Sequence, residues 1–174
     1  MTLYATADSP LGVLLLVGVA SPTAPGGTAL VSLSLPEQKG GAVVQDSWRL
    51  APDAFTEITG QLAAYFAGER TGFTIEYADG ERGATPFQRR VWEALEGIAY
   101  GTTVSYGEIA RRVGASRAGV RAVGTAIGRN PLLVVRPCHR VVGADGALRG
   151  YAGGLERKER LLTLEGAPAG GPTS

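Results

Sequence analysis

The stretch YGEIARRVGASRAGVRAVGTAI, residues 106–127, carries the strongest signal for the architecture of this chain. Its apolar spacing predicts a short helix over 106–113, a tight turn at Gly114-Ala115, and a second helix over 116–127 with Ser116 as its N-cap. A helix, a glycine-containing turn and a second helix form the pattern of a helix-turn-helix. Many helical proteins contain such a pair, so the pattern alone indicates a local arrangement and no function.

The second predicted helix has an unusual exposed face. Val120, Val123 and Ile127 are spaced as its buried stripe, whereas the opposite face combines Arg121 with small side chains. Glycines 119 and 124 each cost up to about 1 kcal/mol relative to alanine and therefore call for a reason. Internal helix packing and close approach to a partner both explain small residues. Internal packing does not explain why the long cationic side chain of Arg121 projects from among these small residues.

Further helices flank this pair. Thr85 is a good N-cap and Pro86 suits a first helical position, and an apolar stripe follows to Ile98. A last helix is predicted over 155–165, and Gly166 ends it. Its apolar set is Leu155, Leu161, Leu162 and Leu164.

The first half of the chain reads as a sheet with one helix. Strands are predicted over 3–6, 12–19, 30–35 and 73–77, with a hairpin turn at Ser9-Pro10, and a helix is predicted over 53–67. We therefore expect an α+β protein. A small N-terminal sheet-plus-helix domain (1–78) and a linker (79–84) precede a mostly helical domain (85–166) with a winged-helix-like helix-turn-helix. A disordered tail (167–174) follows.

The only cysteine and the only histidine of the chain, Cys138 and His139, are adjacent. A free cysteine usually packs as a small hydrophobe. However, the thiolate is the reactive form, and the cationic neighbours Arg136, His139 and Arg140 favour a lowered pKa. In an extended segment the two side chains would point to opposite faces. A turn or a bridging water would then be needed to connect base and nucleophile.

Composition restricts the function classes further. A single cysteine excludes an internal disulfide, and one Cys with one His cannot form a four-ligand structural zinc site. No segment has the length of a membrane span, so we expect a cytoplasmic protein of bacterial type. Residues 109–144 contain seven arginines and no acid. Since the whole chain carries +1, the remainder carries −6, which suggests a polyanionic partner unless acids from elsewhere pair with those arginines.

These features together resemble the O6-alkylguanine–DNA alkyltransferases, the methylated-DNA–protein-cysteine methyltransferases. The resemblance covers residues 85–166. The matching segments are Val104-Ser105-Tyr106, the recognition helix at Arg121-Ala122-Val123-Gly124, the hinge Asn130-Pro131, the active-site motif Pro137-Cys138-His139-Arg140-Val141, and Tyr151-Ala152-Gly153-Gly154-Leu155 with Glu165-Gly166.

The resemblance implies a single-turnover DNA-repair protein. It would flip O6-alkylguanine out of duplex DNA and transfer the alkyl group irreversibly to Cys138. Glu165 would orient His139, which would take the thiol proton through a water, and Tyr106 would donate to the guanine ring. Arg121 would occupy the place of the flipped base. The other DNA-binding positions would be Ser116, Arg117, Ala122, Thr125, Arg129 and Arg140.

The resemblance also implies a guanine pocket and a protein that works alone, without a cofactor. The pocket would be formed by Asn130, Pro137, Val141, Tyr151 and Ala152. No cofactor or metal is expected, and the protein would act as a monomer on double-stranded DNA. Some relatives have serine at the position of Ala152 and asparagine at that of Gly150, which affects pocket width and the preferred alkyl group.

Three alternative functions stay open at this stage. A non-reacting relative that only binds lesions would lack the nucleophile. A winged helix-turn-helix regulator would bind a specific sequence with an inert buried cysteine. A cysteine hydrolase would turn over, with its histidine distant in sequence.

Overall fold

The computed structural model describes residues 1–80 and 83–167, and the chain folds as two units, Met1–Gly83 and Ala84–Ser174. Part of the expected linker and residues 168–174 of the expected disordered tail lie outside the described residues. The mixed α+β character expected from the sequence is confirmed. Among the described residues, none of the helices combines the length and apolar character of a membrane span.

The first unit contains a four-stranded sheet and one α-helix. Its strands are β1 (Thr2–Ala7), β2 (Leu14–Ala20), β3 (Thr28–Ser34) and β4 (Arg49–Leu50). Strand β2 pairs antiparallel with both β1 and β3, and β4 pairs parallel with β1. A 3₁₀ turn at Pro52–Phe55 leads into α1 (Thr56–Phe66).

The predicted hairpin turn is confirmed, whereas the predicted strand over 73–77 is wrong. Ser9 accepts the Gly12 N–H at its carbonyl, which closes the β1–β2 turn as expected. Residues 73–77 form no strand; only an isolated parallel bridge joins Leu30 to Tyr77. The alternation of apolar residues there reflects packing against α1, since Phe73 contacts Tyr65 of that helix.

The second unit is mostly helical. Its elements are α2 (Pro86–Glu96), β5 (Val104–Ser105), α3 (Tyr106–Arg112), α4 (Val120–Gly128), β6 (Val141–Val142) and α5 (Leu155–Leu164). The strands β5 and β6 pair in parallel. Thr85 caps α2 as predicted, in a reciprocal capping box with Gln88. The Trp92 indole N–H of α2 donates to the Ala126 carbonyl (2.9 Å), which fixes α4 against α2.

Two details of the helices differ from prediction. The segment Arg117–Gly119 is a 3₁₀ turn, so α4 begins at Val120 and Gly119, not Ser116, is its N-cap. In α5, Leu155 is 48% exposed, whereas Lys158, Leu161 and Leu162 are buried. The buried residues are thus spaced three and four positions apart, as on one face of a helix, and they include a lysine.

Candidate active site

Cys138 lies at the start of a 3₁₀ turn, Cys138–Arg140, between α4 and β6. Its N–H donates to the Arg136 carbonyl (2.7 Å), and the Arg136 N–H donates to the Leu132 carbonyl (3.1 Å). The segment is therefore a series of tight turns rather than an extended strand. Because the backbone turns here, the opposite-faces constraint expected for an extended chain does not apply to Cys138 and His139.

Asn130 holds this series of turns together. Its side-chain N–H groups donate to the carbonyls of Leu132 and Arg136 (both 3.2 Å), and its Oδ1 accepts from the Leu132 N–H (3.0 Å) and from the Arg136 guanidinium (3.3 Å). Asn130 thus ties the end of α4 to the segment that bears Cys138. Val134, inside the same segment, has a φ of 68°, a strained conformation for a β-branched residue.

His139 and Glu165 form a fully buried pair. The His139 Nε2 lies 2.8 Å from the Glu165 Oε2. Arg140 donates from Nε and Nη2 to the same carboxylate (both 2.8 Å) and from Nη1 to the Ile98 carbonyl (2.6 Å). Burial alone would raise the pKa of Glu165, but the hydrogen bonds from His139 and Arg140 outweigh it and hold the pKa at about 2.

The protonation state of His139 follows from these contacts. Burial lowers the pKa of the imidazole, against the opposing influence of Glu165, so the ring is neutral near pH 7. A carboxylate can only accept, so the single proton lies on Nε2. Nδ1 then carries a lone pair, and it is buried with no hydrogen-bond partner among the described residues. This nitrogen is the available base of the site.

The placement of Arg140 corrects its expected role. It was predicted to contact DNA, but its side chain is 8% exposed and is engaged by Glu165 and Ile98. Two further arginines of the basic block, Arg111 and Arg112, pair with Glu108. Arg136 lies 3.6 Å from a Glu96 oxygen and over the Trp92 ring. The expected basic surface is therefore smaller than the sequence count indicates.

The remaining expected DNA contacts lie on the exposed face of α4 and directly before and after this helix. Arg121, Ala122, Thr125 and Arg129 are exposed, as is Ser116. Within the described residues, Arg121 and Arg129 have no acidic partner. The side chain of Arg117 lies outside the part of the chain that the structure describes.

A cavity of about 310 Å³ opens beside Cys138. Of the expected site residues, Tyr106, Cys138, Tyr151 and Ala152 line it, whereas Asn130, Pro137 and Val141 are buried and do not. The lining residues are Tyr106, Gly124, Ile127, Gly128, Cys138, Arg149, Gly150, Tyr151 and Ala152. Since Gly124 and Gly128 belong to α4, the helix with the exposed Arg121 also forms part of the cavity wall.

The resting state of the thiol differs from the prediction. Burial raises the pKa of Cys138, although the Asn130 hydrogen bond and the charges of Lys158 and Arg136 act in the opposite direction. The expected lowering fails because burial outweighs these favourable influences. In addition, Arg140 is paired with Glu165 and His139 is uncharged. Cys138 therefore rests as a protonated thiol, and a base is required to activate it.

Lys158 is a site residue that sequence reasoning missed. It is fully buried, its Nζ donates to the Gly150 carbonyl (3.1 Å), and it lies 5.8 Å from the centroid of the Tyr106 ring. Burial lowers its pKa to about 8, with Cys138 acting in the opposite direction. The sequence feature that could have identified Lys158 is its position three and four residues before Leu161 and Leu162, on the same face of the helix.

Tyr106 faces the same cavity from the first turn of α3. Ser105 caps this helix by accepting the Glu108 N–H (3.0 Å), which fixes the position of Tyr106. Burial and the neighbouring Cys138 raise the pKa of the phenol, and Arg149 acts against them. The phenol therefore retains its proton and can donate a hydrogen bond into the cavity.

Two protein-family models match the chain, one in each unit. The ribonuclease-like domain model of 6-O-methylguanine DNA methyltransferase matches residues 2–78, and the DNA-binding domain model matches residues 86–167. The chain belongs to the 6-O-methylguanine DNA methyltransferase family. Within this family, the methylated-DNA–protein-cysteine methyltransferase of Mycolicibacterium paratuberculosis is 48% identical over 162 residues, 93% of this chain and 91% of the relative. That of Methanosarcina acetivorans is 44% identical over 94% of this chain and 98% of the relative.

Solved structures of the family have the same fold. A crystal structure of Mycobacterium tuberculosis OGT in complex with DNA matches with a TM-score of 0.82 and 47% identity, covering 96% of both chains. The O6-methylguanine-DNA methyltransferase of Pyrococcus kodakaraensis, at 24% identity, has a TM-score of 0.66 over 96% of this chain and 100% of that one, and supports the fold alone.

Proposed function

We propose that this protein is a single-turnover DNA-repair methyltransferase that moves an alkyl group from the O6 atom of guanine in duplex DNA to Cys138. One observation carries the proposal. A protonated thiol lines a cavity, and the next residue is a buried neutral histidine whose tautomer is set by Glu165. This arrangement matches the nucleophile, base and orienting group of nucleophilic catalysis.

Activation of the thiol moves one proton. The Cys138 proton passes to Nδ1 of His139 through a bridging water, and the ring becomes an imidazolium. Glu165, ionised at any pH well above 2, stabilises this cation across a 2.8 Å hydrogen bond. Asn130 and Lys158, which both favour the ionised form of Cys138, stabilise the thiolate.

The transfer itself is a displacement at carbon. The thiolate electron pair forms a C–S bond to the alkyl carbon, the C–O6 bond breaks, and its electrons return to the purine. Tyr106 is placed to donate to the purine ring and so improve the leaving group, because its raised pKa keeps the phenol protonated. A thioether is chemically inert to the groups lining this cavity, so each molecule reacts once.

The exposed face of α4 is proposed to bind the duplex. Its small residues allow close approach, and Arg121 enters the base stack when the lesion is flipped out. Ser116, Arg117, Thr125 and Arg129 would contact the backbone, which supplies affinity without sequence preference. Gly124 and Gly128 of the same helix line the cavity beside Cys138. A base flipped out at this face of the helix would therefore lie next to the cavity.

The protein is proposed to act as one chain without a metal or cofactor. No cluster of three or more His, Cys, Asp or Glu side chains suited to a metal occurs within residues 1–80 and 83–167. The steps above use only side chains of the second unit. A monomer therefore contains every group that the mechanism requires.

A mass measurement tests the proposal. The protein is mixed with a duplex that contains O6-methylguanine, and the intact mass is followed with Cys138→Ala as the control. Transfer adds about 14 Da to the peptide containing position 138 and nothing to the control. Binding without any mass change would instead indicate a non-reacting lesion-binding protein, and continuous turnover would indicate a hydrolase.

A further inference from the structure

Among the described residues that line the cavity of Cys138, Arg149 is the one with a full charge. The rest of the lining consists of glycines, Ala152, Ile127, two tyrosines and the thiol itself. A methyl or other apolar alkyl group needs no cation beside it. Asp145, which pairs with Arg149 at 3.0 Å, does not line the cavity, so this ion pair presents its cation to the cavity and favours a ligand with a negative end.

The loop before Arg149 holds its guanidinium in place. Nη2 donates to the Asp145 Oδ2 (3.0 Å), and Asp145 Oδ1 accepts the Ala147 N–H (3.0 Å). A Cβ added at Gly143 would lie 2.9 Å from the Arg149 Nε and 2.7 Å from the Asp145 Oδ1. The absence of a side chain at position 143 therefore allows this close packing, and the loop positions the cation.

The guanidinium of Arg149 keeps unused donors. Of its five N–H groups, only one at Nη2 has a hydrogen-bond acceptor among the described residues. The side chain is 59% exposed, so an incoming group can reach it. Its charge also acts within the cavity, since it opposes the effects of burial and of Cys138 on the pKa of Tyr106.

We propose that Arg149 is a specificity-determining residue that favours O6-alkylguanines whose transferred group ends in a carboxylate, of which O6-carboxymethylguanine is the simplest. This inference rests on the alkyl transfer proposed above. The thiolate forms a C–S bond to the carbon attached to O6, the C–O6 bond breaks, and its electrons return to the purine. The carboxylate is transferred unchanged and stays beside the guanidinium.

A contact between Arg149 and a DNA phosphate is a different explanation for the same cation. It would help every duplex substrate equally, because the phosphates are the same whichever alkyl group the guanine carries. Free bases contain no phosphate and therefore separate the two explanations. O6-benzylguanine and O6-(4-carboxybenzyl)guanine form a suitable pair, since they differ by one carboxylate.

The experiment compares rates of Cys138 alkylation by these two free bases, measured by intact mass. Arg149→Gln should lower the ratio of the carboxybenzyl rate to the benzyl rate about 3- to 10-fold, the size expected for one partly screened charge-assisted contact. Arg149→Lys should keep most of the ratio. Asp145→Asn should raise it, because a competing anion is removed. Arg160→Gln, at an exposed arginine of α5 that does not line the cavity, should leave it unchanged.

The two proposals can fail separately. If the unmodified protein alkylates Cys138 from an O6-methylguanine duplex but Arg149→Gln leaves the ratio of the two free-base rates unchanged, the specificity role is wrong. An equal loss of both free-base rates would also overturn it and would assign Arg149 to the structure of the loop. If no substrate alkylates Cys138, the transfer function itself is wrong.

Discussion

Replacement of Glu165 by glutamine tests the buried pair at the centre of the site. The carboxylate accepts three hydrogen bonds of 2.8 Å from His139 and Arg140, and folding lowers its pKa from 4.5 to about 2. A carboxyl group whose pKa is lower in the folded state stabilises the fold above its unfolded pKa, and this stabilisation is lost as the pH falls towards the folded pKa. The difference corresponds to about 3 kcal/mol at neutral pH.

Glutamine removes this contribution and leaves Arg140 as a buried cation without a counter-charge. We expect Glu165→Gln to lower the free energy of unfolding at pH 7 by about 3–5 kcal/mol. The alkylation rate should fall by about 10²- to 10⁴-fold, because the imidazolium formed on activation loses its anion.

Urea denaturation at pH 7 and at pH 4 measures both the size and the sign of the effect. The unmodified protein should lose about 1 kcal/mol more than Glu165→Gln over this interval, because its carboxyl group, which glutamine lacks, begins to be protonated in the unfolded state while the folded state keeps it ionised. Glu159→Gln, at an exposed position of α5, is the matched control and should behave as the unmodified protein. If Glu165→Gln proves as stable as the control at pH 7, or shows the same pH dependence as the unmodified protein, the reasoning about this pair is refuted.

Three further substitutions give distinct outcomes. Arg121→Ala should slow repair of duplex O6-methylguanine more than reaction with free O6-benzylguanine, and equal losses in the two assays would contradict a role in base flipping. His139→Gln should slow alkylation about 10²-fold or more while affinity for unmodified duplex, measured by fluorescence anisotropy, stays nearly constant; a large loss of affinity would indicate a structural histidine. Lys158→Met should slow alkylation at pH 7 yet raise the free energy of unfolding by about 1–3 kcal/mol, because folding lowers the pKa of this lysine to about 8 and so disfavours its charged form at neutral pH. A destabilised Lys158→Met protein would show that the Gly150 hydrogen bond outweighs the cost of burial.

The local elements were largely predictable because their signals are local. The cap at Thr85, the hairpin turn at Ser9-Pro10 and the helical spacing of α3 and α4 depend on residues close in sequence. The strand predicted over 73–77 was wrong because alternation of apolar residues arises from packing as readily as from pairing. The start of α4 was misplaced because a 3₁₀ turn precedes it.

The structure places several of the predicted site residues around one cavity, but their electrostatics could not be read from the sequence. Cys138 and His139 are adjacent in sequence, yet the thiol pKa depends on burial and on which neighbouring charges are paired. Arg140 is neutralised by Glu165, 25 positions away, and no local pattern reveals such a partner. Lys158 was missed because a buried lysine contradicts the usual distribution of charged side chains.

The most direct test of the account is the mass of the protein after reaction with a duplex that contains O6-methylguanine. The account predicts a gain of about 14 Da, once per molecule, on the peptide containing Cys138, and no gain with Cys138→Ala. An unchanged mass after the duplex has demonstrably bound, or a gain on another residue, would contradict it.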